Sequence, residues 1–455
     1  LPQKQNPGRK WPYLPSEVPI SRSVSGFPEW QPKVKIVEEK WIHRISENAR
    51  LQGFVPVETA SVEYLSTLEI KGEIDKEIYT LGKLNSTTTR ELALHYDLTI
   101  PLARFVTEHF SQLSFPFKRY QIQKVWRGER PQFGRYREFY QADIDIIDSE
   151  NLPDLYDAEV LVLGIRCMLD LNIPGFKVGV SNRKIYEGYL KGLGLVDTVP
   201  VLRIIDKLDK VGLDGVVKML VESCSLTTEQ AQKCVRLAQT PFAGRTSQDL
   251  AKELAVDHEQ FLKGLSELEL LQKNIALIAD EKVKASISAD LSFVRGFDYY
   301  TGSIFEGKFL EADGYGSICS GGRYDNLAEG YGSRKLPGVG FSIGLTRILA
   351  KLEERATELV DYPKTSYDFC IIVEGDPSMN QPLFPVAAEL KHAGHAVNII
   401  SVNKLKKGIQ VASRTGAAVA VFLFDGKCML KQLSTGQQVE LVPGQNSVAT
   451  AKGLL

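Results

Sequence analysis

With 455 residues the chain has length for about three domains, and 43% hydrophobic with 24% charged residues is the balance of an ordinary globular protein. Its formal charge of -1 excludes a protein-wide field that would attract nucleic acid, so any such binding must come from local basic patches. Six scattered cysteines lack zinc spacing or a dense disulfide pattern, no apolar run approaches the about 20 residues of a membrane span, and the proline-rich start lacks the core of a signal peptide; a reduced, cytoplasmic protein without membrane contact is expected.

Val37, Trp41, Ile45 and Ala49 recur every fourth residue, which predicts an amphipathic helix ending near Gly53. FVPVET follows as a strand carrying Pro56, and EIYTL and LALHYDLTI read as further strands. YQIQKVWR, Tyr120 to Arg127, alternates with Gln121, Gln123, Val125 and Arg127 on one side. After a loop bearing Arg130, Arg135 and Arg137, a second alternating strand sends Phe139, Gln141, Asp143 and Asp145 to one face and Tyr140, Ala142, Ile144 and Ile146 to the other. The two strands are expected to pair antiparallel, one face forming core and the other holding a ligand. A helix over Asp154 to Leu171 comes next, then a helical stretch from about Val196 to Lys284 with Phe261, Leu265, Leu268 and Ile275 on one stripe. Strand and glycine signals resume at Ile287. Beyond a linker at about Arg355 to Thr365, YDFCIIV, AVNIIS and AAVAVFLF alternate with helices over Pro385 to His392 and Leu405 to Thr415, which predicts a small, mostly parallel α/β domain.

The arginine loop has the chemistry of a polyanion site, because a guanidinium is planar, binds phosphate oxygens bidentately and keeps its charge. A solvated basic hairpin is the bland alternative. LSFVRGFDYYTGSIFEG and GYGSICSGGRYD put glycines beside Arg295, Tyr299, Tyr300 and Tyr324, where backbone can approach a ligand and tyrosines can wall it in. PGVGFSIGLTRIL leads a strand into a helix carrying Arg347. No GxxxxGK[ST], GxSxG or HExxH pattern is present, and the dispersed histidines have no metal-ligand spacing.

In this order the segments resemble the class II aminoacyl-tRNA synthetases, specifically the histidyl-tRNA synthetase family. Pro56 after the long helix resembles the first class motif, Arg127 with its loop and Phe139 the second, and Arg347 in GFSIGLTRIL the third. VRGFDYY, GGRYD and HYDLTIPLAR resemble segments particular to the histidine enzymes. The resemblance implies an α+β fold: a class II catalytic core on an antiparallel sheet over residues 1–195 and 286–355, irregular before about residue 30. A helical insertion over 196–285 and a C-terminal α/β anticodon-binding domain over 366–455 complete it. It implies a histidine–tRNA ligase that forms histidyl-adenylate from L-histidine and ATP, releases pyrophosphate and charges the 3′ end of tRNA for histidine. Arg127 and Arg295 are implied as catalytic. Asp97, Leu98, Thr99, Gln141, Asp145, Tyr299, Tyr300 and Tyr324 would join them around histidine, and Glu129, Arg135, Phe139 and Arg347 would join Arg127 around ATP. Gln132, Lys406, Lys407 and Arg414 are expected at tRNA. Mg2+ would arrive with ATP, no protein-ligated metal is implied, and a homodimer is expected. His95 and Thr346 stand where the family usually has arginine and an acidic residue, and SGFPEW replaces its usual RGxxD start. Non-catalytic histidine-sensing or tRNA-sensing relatives share the core; the histidine-sensing regulators lack the C-terminal domain, which this chain has from Tyr367 onward.

Overall fold

The computed structural model describes residues 23–69, 77–83, 91–242, 245–292, 300–312, 314–326, 328, 331–332, 334–354, 365–441 and 447–455. The predicted first helix is Pro32–Leu51, with Val37, Trp41, Ile45 and Ala49 buried. The strands up to residue 344 are β1 (Val55–Pro56), β2 (Val62–Tyr64), β3 (Thr80–Leu81), β4 (Leu92–Leu94), β5 (Phe117–Trp126) and β6 (Glu138–Ile147). They continue with β7 (Phe176–Asn182), β8 (Ile287–Ala289), β9 (Ser303–Phe309), β10 (Cys319–Tyr324) and β11 (Gly338–Gly344). Eight of them form one sheet in the order β1-β5-β6-β11-β10-β9-β7-β8, antiparallel except at its two outermost pairs; β2, β4 and β3 form a small antiparallel sheet. LALHYDLTI is strand only at Leu92–Leu94. The helix Thr99–Glu108 starts within it, because the Asp97 carboxylate accepts the otherwise unpaired Ile100 N–H at 3.1 Å.

Alternation in β6 divides the sheet as expected. Ala142, Ile144 and Ile146 are fully buried, and the helix Leu155–Asp170 covers the apolar side, where Phe341 and Ile343 of β11 also pack. Each large side chain buried there stabilises by about 1.5–3 kcal/mol. Gly164 lets the helix come this close: a Cβ there would lie 2.2 Å from the Phe341 ring. The opposite side carries the polar groups described below.

Between residues 199 and 278 the regular elements are helical, Glu259–Ile278 being the longest, with Phe261, Leu265, Leu268 and Ile275 on its buried stripe. The C-terminal sheet comprises β12 (Phe369–Glu374), β13 (Val397–Val402), β14 (Val419–Phe424), β15 (Lys427–Gln432) and β16 (Gln438–Leu441), ordered β13-β12-β14-β15-β16. Phe369 and Ile371 pack with the helix Leu383–His392, whereas Cys370 and Ile372 pack with Leu405–Thr415, so β12 is buried on both faces. The expectation of a mostly parallel domain is corrected here: β13, β12 and β14 are parallel, but β14, β15 and β16 run antiparallel. The cause is Asp425-Gly426, both at positive φ (48° and 74°), a tight turn that folds β15 back on β14.

Candidate active site

Register places polar residues in rows across the polar face of the main sheet. Arg119 of β5, Asp145 of β6 and Gly340 of β11 form one row; Gln121, Asp143 and Ser342 form the next; Gln123, Gln141 and Gly344 the third. Directly opposed residues on neighbouring strands share a face, so these side chains make a continuous polar floor. Arg119 is fully buried and its Nη2 lies 2.8 Å from Asp145 Oδ2, while Tyr324 donates its hydroxyl to Asp145 Oδ1 at 2.6 Å. Arg119 also reaches the Leu98 carbonyl at 3.3 Å and Gln121 Oε1 at 3.2 Å. Burial pushes the Asp145 carboxyl up, against the lowering pull of Arg119 and Tyr324. Gln141 donates to Ser342 at 2.8 Å.

Gly340 is required by this packing, since a Cβ there would stand 2.1 Å from Asp145 Oδ1. Gly340→Ala should therefore displace Asp145 from Tyr324 and weaken, about tenfold or more, the binding of L-histidine that the family resemblance implies for Asp145, the worth of one charged hydrogen bond. Calorimetry would check this; unchanged affinity would show that Asp145 does not contact the amino acid.

The arginine loop turns at Gln132 to Arg135, which are joined by paired backbone hydrogen bonds of 3.0 and 2.8 Å. Gly134, at φ 72°, lies against Tyr315, where a Cβ would come 2.4 Å from the phenol oxygen. Arg127 donates through Nε to the Tyr96 carbonyl at 3.0 Å, and its guanidinium lies 5.2 Å from the Phe139 ring centre. That leaves a fixed cation at the lip of a cleft of about 790 Å³, lined among others by Arg127, Arg135, Phe139, Gln141, Tyr300 and Arg347. Arg135 stands 3.7 Å from Glu129. Arg347 donates to the Ser317 and Tyr315 carbonyls at 2.8 and 2.7 Å and lies against the Tyr315 ring.

Most of the sequence-predicted residues thus meet in one place. Asp97 and Thr99 are half-buried at the turn into the helix; Leu98 is buried and can offer only backbone. Burial raises the Asp97 carboxyl, opposed by the Ile100 N–H and by Arg127. Gln132 is exposed at the loop tip, and Lys406, Lys407 and Arg414 are exposed on the helix Leu405–Thr415. Arg295 and Tyr299 lie outside the described residues.

The two departures from the family pattern have local roles. His95 is fully buried, donates through Nε2–H to the Lys124 carbonyl (2.7 Å) and lies against Trp126; burial lowers its pKa, favouring the neutral ring. Its own carbonyl takes the Trp126 N–H, which braces the turn whose Tyr96 carbonyl holds Arg127. Thr346 accepts the Tyr140 N–H at 2.8 Å through its hydroxyl.

Sequence reading missed Arg119, Tyr315 and Glu306. Arg119 was within reach of it, because it shares the period of Gln121 and Gln123. Tyr315 and Glu306 carried no local signal; Glu306 is buried and receives the Ser317 hydroxyl.

A family model described as histidyl-tRNA synthetase matches residues 26–348. A histidine–tRNA ligase of Thermobifida fusca is 42% identical over 431 residues, covering 92% of this chain and 96% of that one. The crystal structure of histidyl-tRNA synthetase from Nostoc sp. PCC 7120 superposes with a TM-score of 0.81 at 32% identity, covering 96% of this chain and 99% of that one. A Bacillus halodurans C protein, described as an ATP phosphoribosyltransferase regulatory subunit/histidyl-tRNA synthetase, shares the fold with a TM-score of 0.72 at 20% identity, covering 89% and 99%.

Proposed function

The chain belongs to the histidyl-tRNA synthetase family, and from that premise we propose how its residues perform the work of a histidine–tRNA ligase. The substrate carboxylate attacks the α-phosphorus of ATP in line, pyrophosphate leaves, and the terminal ribose of tRNA then attacks the adenylate carbonyl. Attack of an anion on a polyanion is slow unless positive charge is already fixed where negative charge accumulates. The observation that carries the assignment is Arg127, anchored on the Tyr96 carbonyl at 3.0 Å and lining the same cleft as Gln141.

Arg127 bridges the substrate carboxylate and the α-phosphate. Arg295 supplies a second charge at the same phosphate. Phe139 stacks on adenine with Glu129 nearby, and Arg135 and Arg347 stand towards the terminal phosphates. Because the Arg347 donors are turned to two carbonyls, it contributes charge and a flat face more than a phosphate fork. Mg2+ enters as part of the ATP substrate. Asp97, Thr99, the Leu98 backbone and Gln141 surround the amino acid, while Asp145 and Tyr324 read the imidazole, with Tyr299 and Tyr300 as walls. A pocket built to pair a polar ring disfavours apolar analogues, since they offer Asp145 and Tyr324 no ring nitrogen to pair with.

The helices between residues 196 and 285 are the insertion, and the sheet β12–β16 with its helices is the anticodon-binding domain, where Lys406, Lys407 and Arg414 meet tRNA. Gln132 meets the acceptor end. A homodimer in the cytoplasm completes the reading. Tyr64 and Leu92, opposite each other on the small sheet and 62% and 42% exposed, support a second copy packing there.

The test is histidine-dependent exchange of labelled pyrophosphate into ATP. Exchange with histidine and with none of the other amino acids is expected; histidine binding without exchange would instead make the chain a histidine-sensing regulator. In the same assay Arg295→Ala should fold normally and lose on the order of 100-fold, as on removal of one preorganised donor. Near wild-type single-turnover adenylation would remove Arg295 from the chemistry.

A further inference from the structure

Asp143 lies between Gln141 and Asp145 on the same face of β6, so whatever spans those two residues crosses it. It is 4% exposed, and among the described residues its Oδ1 has no hydrogen-bond partner. Asp145 Oδ2 likewise lacks a hydrogen bond but stands in an ion pair with Arg119 at 2.8 Å, and its Oδ1 accepts the Tyr324 hydroxyl at 2.6 Å. The directly opposed neighbours of Asp143 are neutral, Gln121 on β5 and Ser342 on β11, of which Ser342 is a hydrogen-bond partner. The charged and titratable groups around it are Arg119 on β5, Asp145 on its own strand, Asp97 on the turn before the helix Thr99–Glu108, and the Tyr300 phenol. Asp143 and Asp145 therefore share the buried Arg119 guanidinium while Asp97 is drawn to Arg127, and a buried carboxylate with a free oxygen calls for a cation.

We propose that Asp143 is a further substrate-binding residue of the amino-acid pocket, its unpartnered Oδ1 receiving the substrate's α-ammonium group beside Asp97. The inference rests on the histidine-activating reading above. An ammonium fits better than the imidazole, because at neutral pH the ammonium is mostly protonated while the ring is mostly neutral. The ring also finds its partners at Asp145 and Tyr324.

Burial, only partly offset by Arg119, raises the Asp143 pKa to about 7. Between the ordinary aspartate range and that value the empty pocket holds a proton that the bare chain would not. A bound cation favours the ionised form, so ligand affinity through this residue is present above about pH 7 and lost as pH falls below it.

The test compares wild type with Asp143→Asn, which keeps shape and removes charge. Pyrophosphate exchange should show the KM for histidine raised about ten- to a hundredfold, with the KM for ATP unchanged. As competitors, histidinol, which has the ammonium, should weaken by the same factor, and 3-(imidazol-4-yl)propionate, which lacks it, should be unaffected. With wild type alone, histidinol binding should fall from about pH 8 to about pH 6 more steeply than imidazolepropionate binding, the ring titration being common to both. Equal loss of both analogues, or a variant that binds histidine and histidinol as wild type does, would overturn the inference. A wild type without histidine-dependent exchange would instead sink the functional reading and this inference together, which separates the two failures.

Discussion

Arg127→Ala is expected to slow histidyl-adenylate formation by about 10²–10³-fold, the cost of one preorganised charge donor at a developing anion. The guanidinium is useful because it is immobilised before substrate arrives: Nε is tied to the Tyr96 carbonyl and the plane rests near the Phe139 ring. No reorganisation is then needed when charge builds on the α-phosphate. Arg127→Lys should recover little of the loss, since an ammonium cannot hold the Tyr96 carbonyl and two substrate oxygens in one plane. Rapid-quench measurement of adenylate, with histidine affinity measured separately by calorimetry, decides the matter. A rate within tenfold of wild type for the alanine variant would mean that the charge at the reacting phosphate is supplied elsewhere.

Arg119→Met should destabilise the protein by about 3–5 kcal/mol, because it strips the buried Asp145 of its counter-charge and leaves the carboxylates of β6 in low dielectric. The effect must depend on pH. Both Asp143 and Asp145 already have raised pKa values with Arg119 in place, and without it they rise further. The native variant then binds more protons than its unfolded chain above the ordinary aspartate range, so its stability falls as pH rises. Denaturant midpoints should accordingly separate wild type and variant more at about pH 8 than at about pH 5.5. A small, pH-independent difference would show that the pair is not the counter-charge its geometry indicates.

Much of the candidate site was legible in one strand. The period of Phe139 to Asp145 correctly set Gln141, Asp143 and Asp145 on one face and the apolar residues on the other, because in extended backbone that division is purely local. The segment HYDLTI misled, since its alternation is short and the decisive event is a single hydrogen bond from the Ile100 N–H to Asp97. The antiparallel edge of the C-terminal sheet is encoded in Asp425-Gly426, a strong tight-turn signal that follows the strand and helix alternation on which the parallel expectation rests.

The arginine loop, the alternating floor and the glycine-bearing strands are properties of the chain by itself, each arising from side chains within a few residues of one another. Only the tertiary structure decided how these pieces meet. Asp145 finds Arg119 on the neighbouring strand and Tyr324 two strands away on the other side, 179 residues along the chain. That meeting depends on register, which is set by burying the apolar face beneath the helix Leu155–Asp170; a slip of one residue would turn every floor carboxylate into the core. Sequence therefore supplied the ionisable groups, while long-range packing determined which are paired and which keep an unpartnered oxygen.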